Sequence, residues 1–287
     1  MIRRTTGKPL RWHKVRRNER HIAEEYLKTR EKYCVSASAR FLKMKKSRDY
    51  LWYMPGPEGE ISALLLHSRY SLFPVFDKNE NISGPRFLTR FLRKIPIHAL
   101  QGLRGDTEIL ENLMEEQGYY VAERIDYELM SLDEEPKPEA FRAGPRDLVL
   151  RKPAVGDEES LFDLQSAYEQ EEVLPQKAVF NPAACRLNLE HILSAEHVIV
   201  AELDNRVVGK INTSAESFTR YQIGGVYVRP DCRGLGIAVK MTAFFVRDLL
   251  AQGKGISLFV KKHNNAALKV YRKTGFIILA DYRISYY

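Results

Sequence analysis

The sequence has little cysteine and no long apolar run. Its three cysteines, Cys34, Cys185 and Cys232, are odd in number and far apart, which favours neither a disulfide framework nor a set of metal ligands. No segment approaches the roughly 18 to 20 consecutive apolar residues that a membrane-spanning helix needs, and residues 1–20 lack the apolar core of a secretory signal. We therefore expect a cytoplasmic protein that holds no metal and is not inserted in a membrane.

Positive charge is concentrated at one end of the chain. The formal net charge is +8 at pH 7, and residues 1–20, with eight Lys or Arg against one Glu, supply +7 of it. A basic arm of this kind can bind the phosphates of a nucleic acid or a cofactor, or it can be a solvated tail that folds over the domain. Association with nucleic acid through residues 1–20 is therefore an alternative function.

Length and composition indicate two domains. The chain has 287 residues, of which 44% are hydrophobic, enough for two cores of ordinary size. Residues 131–147 contain three prolines, five acidic residues and few apolar side chains, as is typical of a linker. We therefore predict an N-terminal domain over 1–132, a linker over 133–147 and a C-terminal domain over 148–287.

Apolar periodicity gives the C-terminal domain an alternating order of strands and helices. Strands are predicted over 148–152, 198–203, 206–214, 222–229, 256–260 and 276–287, and helices over 157–169, 181–193, 237–252 and 265–273. Asp204-Asn205 lies between two apolar runs and signals a hairpin. Pro230 ends the strand before it, because proline cannot extend a ladder. This order indicates a mixed α/β (α+β) fold.

The N-terminal domain repeats a similar order. Strands are predicted over 50–54, 61–67, 70–76, 97–101 and 119–130, and helices over 19–31, 37–46, 85–92 and 106–117. We interpret the two halves as two copies of one architecture. The alternative is that the similarity is coincidental, because this order of strands and helices is common in α/β proteins. The first copy has no glycine-rich loop, since its equivalent junction reads DKNENISGP.

The segment 226–238, VYVRPDCRGLGIA, carries the first chemical signal. A strand ends at Pro230, and a loop that contains Arg233, Gly234 and Gly236 opens a helix. The N-terminus of a helix has unpaired backbone N–H groups and partial positive charge, so it binds phosphate. Glycines allow close approach of a pyrophosphate, and the arginine adds charged hydrogen bonds. The loop is neither the dinucleotide-binding G-x-G-x-x-G nor a P-loop; alone, it could be merely a tight turn.

A second pattern follows about twenty-five residues later in ISLFVKKHNNAALKVYRKTGF. Asn264, Ala267 and Tyr271 are three and four residues apart, so they share one face of a helix. Gly275-Phe276 then begins the final strand. Here the sequence resembles the GNAT superfamily of N-acetyltransferases. The family's cofactor signature, Arg/Gln-x-x-Gly-x-Gly/Ala, and its later Asn-x-x-Ala-x-x-x-Tyr-x-x-x-Gly-Phe pattern occur in order and at the family's spacing, the former at Arg233, Gly236 and Ala238.

The resemblance covers the last half of the chain and implies a GNAT-like mixed sheet flanked by helices. The two-part layout also looks like bacterial proteins with an uncharacterised domain ahead of a GNAT domain, so we expect two tandem copies of which the first is degenerate. The implied cosubstrate is acetyl-CoA. The residues implied to contact it are Val226, Tyr227 and Val228 on the strand, Arg233, Gly234, Leu235, Gly236, Ile237 and Ala238 at the loop and helix, and Asn264.

Catalytic roles follow from the same resemblance. Tyr271 would protonate the leaving thiolate as a general acid, or it could be a packed core tyrosine. An amine acceptor is protonated at neutral pH and must lose a proton, but the predicted strand 222–229 has no carboxylate. Glu171 or Glu172 at the end of the first helix is therefore the predicted base or ammonium-binding group; a solvated acidic helix end is the alternative, and Glu216 is a third candidate.

The predicted function is therefore direct, acetyl-CoA-dependent N-acetylation of an amine, either a small molecule or a protein. A CoA-binding regulatory module without turnover is the alternative, motivated by the missing strand carboxylate. The partners implied are acetyl-CoA and an amine substrate, and an oligomer is compatible with the sequence. The sequence does not identify the acceptor.

Overall fold

A computed structural model describes residues 11–44, 49–56, 58–77, 91, 95–175 and 178–287. The chain divides into two compact units. The first contains the described residues up to Tyr127 together with Ala280–Tyr287, and the second is Glu128–Leu279. Within the described ranges, no helix is long and apolar enough to cross a membrane.

The first unit has a sheet with the strand order β1-β2-β3-β4-β5-β12-β6, in which β12 is the last strand of the chain, Ile277–Tyr286. Strands β2, β3 and β4 form an antiparallel meander, and β5 runs parallel to β4. Its helices pack on β3, β4 and β5. The elements are β1 (His13–Lys14), a 3₁₀ turn (Arg17–Glu19), α1 (Arg20–Arg30), a 3₁₀ turn (Glu31–Tyr33), α2 (Val35–Leu42), β2 (Tyr50–Pro55), β3 (Ile61–Ser68), β4 (Ser71–Phe76), β5 (Ala99–Leu103), α3 (Arg104–Glu115) and β6 (Glu123–Leu132).

The second unit has the order β6-β11-β10-β9-β8-β7. Strands β7 to β10 are antiparallel, and β11 is parallel to β10. Its elements are α4 (Pro138–Phe141), β7 (Val149–Arg151), α5 (Glu158–Tyr168), a π-helical segment (Glu169–Val173), α6 (Pro182–Ala195), β8 (Val198–Leu203), β9 (Arg206–Glu216), β10 (Arg220–Val228), a 3₁₀ turn (Pro230–Cys232), α7 (Ile237–Leu250), β11 (Gly255–Lys261), α8 (Asn265–Thr274) and β12 (Ile277–Tyr286).

The mixed α/β class and the elements of the C-terminal half are confirmed. Asp204 and Asn205 have φ values of 51° and 59°, the left-handed conformation that a two-residue hairpin turn requires, and β8 pairs with β9 across them. Helix α7 buries Ile237, Met241 and Leu249 in the core of the second unit. In the first unit, the predicted helix 85–92 lies outside the described residues except at Phe91.

The observed units have different bounds from the predicted domains. The division falls inside β6, between Tyr127 and Glu128, and the end of β12 belongs to the first unit. The reason is strand pairing, since Tyr282 to Tyr286 of β12 form an antiparallel ladder with β5. Periodicity identifies a strand, but it does not identify the strand's partner in a sheet.

The predicted linker 133–147 is also partly structured. It contains α4, in which Ala140 is only 2% exposed and packs against Val239 and Ala243 of α7. The Phe141 ring lies edge-on to Phe244 with a centroid distance of 5.1 Å. An apolar contact of one helical turn is too short to appear as periodicity among prolines and acidic residues.

Candidate active site

The central strand of the second unit separates from its parallel neighbour. β10 pairs with β11 where Arg220, Tyr221 and Gln222 face Gly255, Ile256 and Ser257. The buried Arg220 guanidinium fixes this closed end by donating hydrogen bonds to Ser257 Oγ at 3.0 Å and the Ile256 carbonyl at 2.8 Å. Beyond it, residues 223–228 have no ladder partner on β11 among the described residues. This open edge can pair with an extended ligand as an added strand would.

A bulge bends β10 in the middle of the open stretch. The register against β9 shifts between Gly224 and Tyr227, and Gly225 has φ of 59°. A Cβ atom at Gly225 would lie 2.0 Å from Asn212 Oδ1, so only glycine fits. The Gly225 carbonyl accepts a hydrogen bond from Lys210 Nζ at 3.1 Å. The bulge therefore turns a short stretch of β10 main chain out of the regular ladder.

The loop before α7 has a row of unpaired backbone donors. The N–H groups of Cys232 and Arg233 donate to the carbonyls of Arg229 and Pro230, and the first amide with a helical acceptor is that of Lys240. In the described part of the chain, no protein acceptor is hydrogen-bonded to the amides of residues 234–239. Six consecutive free N–H groups at the start of a 14-residue helix form a ready site for an anion such as a pyrophosphate.

Two glycines give this loop its conformation. Gly234 and Gly236 have φ values of 82° and 83°, a region that other residues rarely adopt. A Cβ atom at Gly234 would meet nothing within 4 Å, whereas one at Gly236 would lie 2.8 Å from the Gly144 backbone nitrogen. The Gly236 position therefore excludes any side chain. The residues present fit the diphosphate of acetyl-CoA, because the donors are free and the backbone is accessible at Gly234.

Arg233 is held at the loop by two neighbours. Its Nε donates to the Val228 carbonyl at 3.1 Å, and its NH2 donates to Glu171 Oε2 at 2.8 Å. The other oxygen of Glu171 accepts a hydrogen bond of 2.5 Å from the Tyr227 hydroxyl. Burial opposes ionisation, but the hydrogen bonds from Tyr227 and Arg233 hold the pKa of the Glu171 carboxyl below its usual value. Burial and Glu171 raise the pKa of Tyr227 to about 12.

Glu172 lies on the other side of this segment, near the start of α8. Its Oε1 accepts a hydrogen bond of 3.0 Å from Asn264 Nδ2, and its Oε2 is 3.9 Å from Lys261 Nζ. The Asn264 side-chain oxygen accepts from the Ala267 amide at 2.9 Å, which caps the N-terminus of α8. Asn264 is therefore both a helix cap and a contact of Glu172.

Tyr271 is buried in the second turn of α8 and is 7% exposed. Its ring packs edge-on against Phe276. Burial raises the pKa of Tyr271, and the neighbouring Tyr168 and Glu172 raise it further. The hydroxyl makes no hydrogen bond within the described residues. Tyr271 is therefore a protonated side chain at neutral pH with an uncommitted O–H group, as a proton donor must be.

The structure brings the predicted residues together in two clusters. Tyr227, Arg233 and Glu171 form one, beside the free loop amides, and Glu172 and Asn264 form the other, with Tyr271 close enough for Glu172 to affect its pKa. Lys210 and Tyr168 also lie in this region, and neither was predicted as a site residue. A single lysine within the apolar stretch of β9 was the available signal for Lys210.

Lys210 is buried, and its hydrogen-bond acceptors are neutral groups. It is 1% exposed, and its Nζ donates to Asn212 Oδ1 at 3.0 Å and to the Gly225 carbonyl. Among the described residues, no carboxylate lies within ion-pair distance of this ammonium group. Burial lowers the pKa of Lys210 to about 7, although the charge of Glu169 opposes the shift. The two hydrogen bonds from Lys210 fix the bulge of β10. They keep the lysine amine out of water, which disfavours its charged form.

This shift predicts a pH-dependent stability. Between pH 7 and the ordinary lysine pKa of 10.5, the unfolded state holds a proton that the folded state lacks, so the free energy of unfolding rises with pH by about 1.4 kcal/mol per unit from this group. We expect Lys210→Met to remove that slope in urea unfolding curves recorded across this range. Lys254→Met is the control, because that ammonium pairs with Glu216 at 2.6 Å. Equal slopes in the wild type and Lys210→Met would contradict the prediction.

Comparison with known proteins identifies a family for part of the chain and a fold for nearly all of it. Residues 158–276 match the model of the acetyltransferase (GNAT) family. A GCN5-related N-acetyltransferase from Sphaerobacter thermophilus is 17% identical, with a TM-score of 0.60 and coverage of 98% of this chain and 96% of that one. A Drosophila protein is 12% identical, with a TM-score of 0.64 and coverage of 98% and 99%. No curated protein sequence matches the chain.

A tandem GNAT protein from the clavulanic acid biosynthesis pathway is also similar in fold. It is 11% identical, with a TM-score of 0.59 and coverage of 96% of this chain and 97% of that one. Such low identities establish a shared fold and nothing further. Residues 158–276 are a GNAT acetyltransferase domain, and the general reaction of that family is acetyl transfer from acetyl-CoA. The whole chain has the fold of proteins that include a tandem GNAT protein.

Proposed function

We propose that the chain transfers the acetyl group of acetyl-CoA directly to an amine. The observation that carries the proposal is the row of six unpaired amides over 234–239, next to the open edge of β10. A diphosphate fits the first feature and an extended pantetheine arm fits the second. Both features lie in the segment that carries the family's cofactor signature.

Acetyl-CoA supplies the thioester, and the protein positions it. Under the proposal, residues 234–238 and Arg233 would hold the diphosphate, and the main chain of Val226, Tyr227 and Val228 would pair with the pantetheine arm. A backbone amide of that strand would stabilise the negative charge that develops on the thioester oxygen. Tyr271 would donate its proton to the leaving sulfur. Asn264 would act through Glu172, which it orients.

Glu171 and Glu172 differ in how well each could bind the ammonium group of the acceptor. Both oxygens of Glu171 are occupied by Tyr227 and Arg233, so its role is to hold Arg233 in place. Glu172 has one strong contact, with Asn264, and is free to bind an ammonium group through its other oxygen at the expense of the long contact with Lys261. We propose Glu172 as the ammonium-binding and proton-accepting residue.

The experiment is amine-dependent release of free CoA thiol from acetyl-CoA, measured with the full chain and a panel of small amines and N-terminal peptides. We expect Glu172→Gln to lower kcat/KM for the amine about tenfold, the equivalent of one hydrogen bond to a charged group, and to leave the Kd for acetyl-CoA unchanged. Glu216→Gln is the matched control, since Glu216 is committed to Lys254. Thiol release that no amine stimulates would contradict the proposed function.

A further inference from the structure

The first unit also contains two parallel strands that separate. Among the described residues, β4 and β5 pair only at Ser71 with Ala99 and at Leu72 with Leu100. Beyond that point their residues line a cavity of about 490 Å³, together with the start of α3. The volume lies within the range of about 300 to 1,000 Å³ that is typical of small-molecule sites. The unit therefore contains a ligand-sized space to which no role has been assigned.

The walls of this cavity are largely apolar, and its charged groups are mostly paired. Phe73, Val75 and Phe76 of β4 contribute apolar side chains. Arg30 donates two hydrogen bonds to Asp77 Oδ1, at 2.9 and 2.5 Å. Arg104 likewise donates to Glu108 Oε1 at 2.7 Å, one helical turn away. Both arginines that line the cavity thus have carboxylate partners.

Asp106 differs from the other charged residues that line the cavity, which are mostly paired. Its Oδ2 accepts a hydrogen bond of 3.2 Å from the Phe76 amide, and Oδ1 has no hydrogen bond within the described residues. No basic group in the described part of the chain forms an ion pair with it. The titratable groups around it are Tyr26 on α1, Cys34 before α2 and Asp77 after β4. None of these can supply a positive charge.

The electrostatic consequence is a carboxyl group with a high proton affinity. Burial and, to a smaller extent, the negative charge of Asp77 raise the pKa of Asp106 to about 7, although the hydrogen bond from the Phe76 amide opposes the shift. Such a group is stabilised in its ionised form by an incoming cation. An anionic ligand would meet no free positive charge among the described lining residues. The junction after β4, DKNENISGP, also lacks the glycine-rich diphosphate pattern.

We infer that this cavity binds a cationic organic amine, whose ammonium group pairs with Asp106 and whose apolar body packs against Phe73, Val75 and Phe76. The apolar walls favour an amine with a hydrocarbon body over a hydrated metal ion, for which a single free carboxylate is a poor site. The inference does not depend on acetyl transfer in the second unit, because all the lining residues belong to the first.

The test is isothermal titration of the full chain, without acetyl-CoA, with phenethylamine and hexylamine as probes and 2-phenylethanol as the neutral analogue. We expect both amines to bind and the alcohol to bind at least about tenfold more weakly, since it leaves Asp106 unpaired. Because the pKa of Asp106 is about 7, lowering the pH from 8 to 6 should weaken amine binding about tenfold.

Variants test whether the amines bind at Asp106 or elsewhere in the protein. Asp106→Asn keeps an oxygen for the Phe76 amide, so the protein should stay folded while its affinity for amines falls at least about tenfold. Glu108→Gln, which alters a paired lining carboxylate, should retain binding. Every titration is made in the Glu172→Gln background, which removes the amine site proposed in the second unit. The inference is overturned if neither amine binds at millimolar concentration in that background, or if adding Asp106→Asn leaves the affinity unchanged.

Discussion

Replacement of Gly236 with glutamate is expected to abolish the binding of acetyl-CoA. Gly236 has φ of 83°, and its Cβ position is 2.8 Å from the Gly144 backbone nitrogen, so any side chain forces the loop to move. The movement would reorient the free amides of residues 234–239, and the new carboxylate would repel the diphosphate. We expect the Kd for acetyl-CoA to rise at least about 100-fold, a loss of about 2.8 kcal/mol, in isothermal titration.

A control for this substitution lies at the other end of the same helix. Gly253 has φ of 78°, and a Cβ atom there would meet nothing within 4 Å. Gly253→Glu therefore introduces the same charge and a similar backbone strain of about 1 kcal/mol without touching the loop. Its melting temperature should fall, and its affinity for acetyl-CoA should stay within about twofold of the wild type. If Gly236→Glu, still folded, binds acetyl-CoA as tightly as Gly253→Glu does, the diphosphate site is misassigned.

The fold was largely predictable from local patterns, and the pairing of strands was not. Asp204-Asn205 predicted the hairpin because its left-handed turn is a property of those two residues. The membership of the end of β12 in the first unit depends on its ladder with β5, residues about 180 positions apart in the chain. No local pattern contains that information. For the same reason, the linker's contact between Ala140 and α7 could not be predicted.

In the candidate site, too, the features that depend on local sequence were predictable, and those that depend on tertiary contacts were not. Spacing alone placed Gly236 at the start of a helix and Tyr271 on the face of another, because these are local features. It could not distinguish Glu171 from Glu172, which are adjacent in sequence but contact different partners, Arg233 and Asn264. The bulge at Gly225 and the burial of Lys210 arise only when β9 and β10 pair. The electrostatics of the site are thus a property of tertiary structure.

Replacement of Tyr271 with phenylalanine is expected to lower kcat about 100-fold or more, the lower end of the contribution of a general acid. The hydroxyl has no hydrogen-bond partner among the described residues, and the ring contact with Phe276 is retained in the variant. The loss should therefore fall on the chemical step. The KM for acetyl-CoA should stay within about threefold, and the melting temperature should be unchanged. Steady-state thiol release and thermal unfolding measure the two quantities.

Tyr221→Phe is the matched control, because it removes a hydroxyl from another buried tyrosine of the same unit. The Tyr221 hydroxyl donates to Gln252 Oε1 at 2.9 Å, so its loss should destabilise the fold by about 1 kcal/mol and leave kcat unchanged. The two variants thus have opposite signatures, a catalytic loss without a stability change and a stability loss without a catalytic change. If Tyr271→Phe retains the wild-type kcat with its stability unaltered, the leaving thiolate takes its proton from another donor, and Tyr271 is a packing residue.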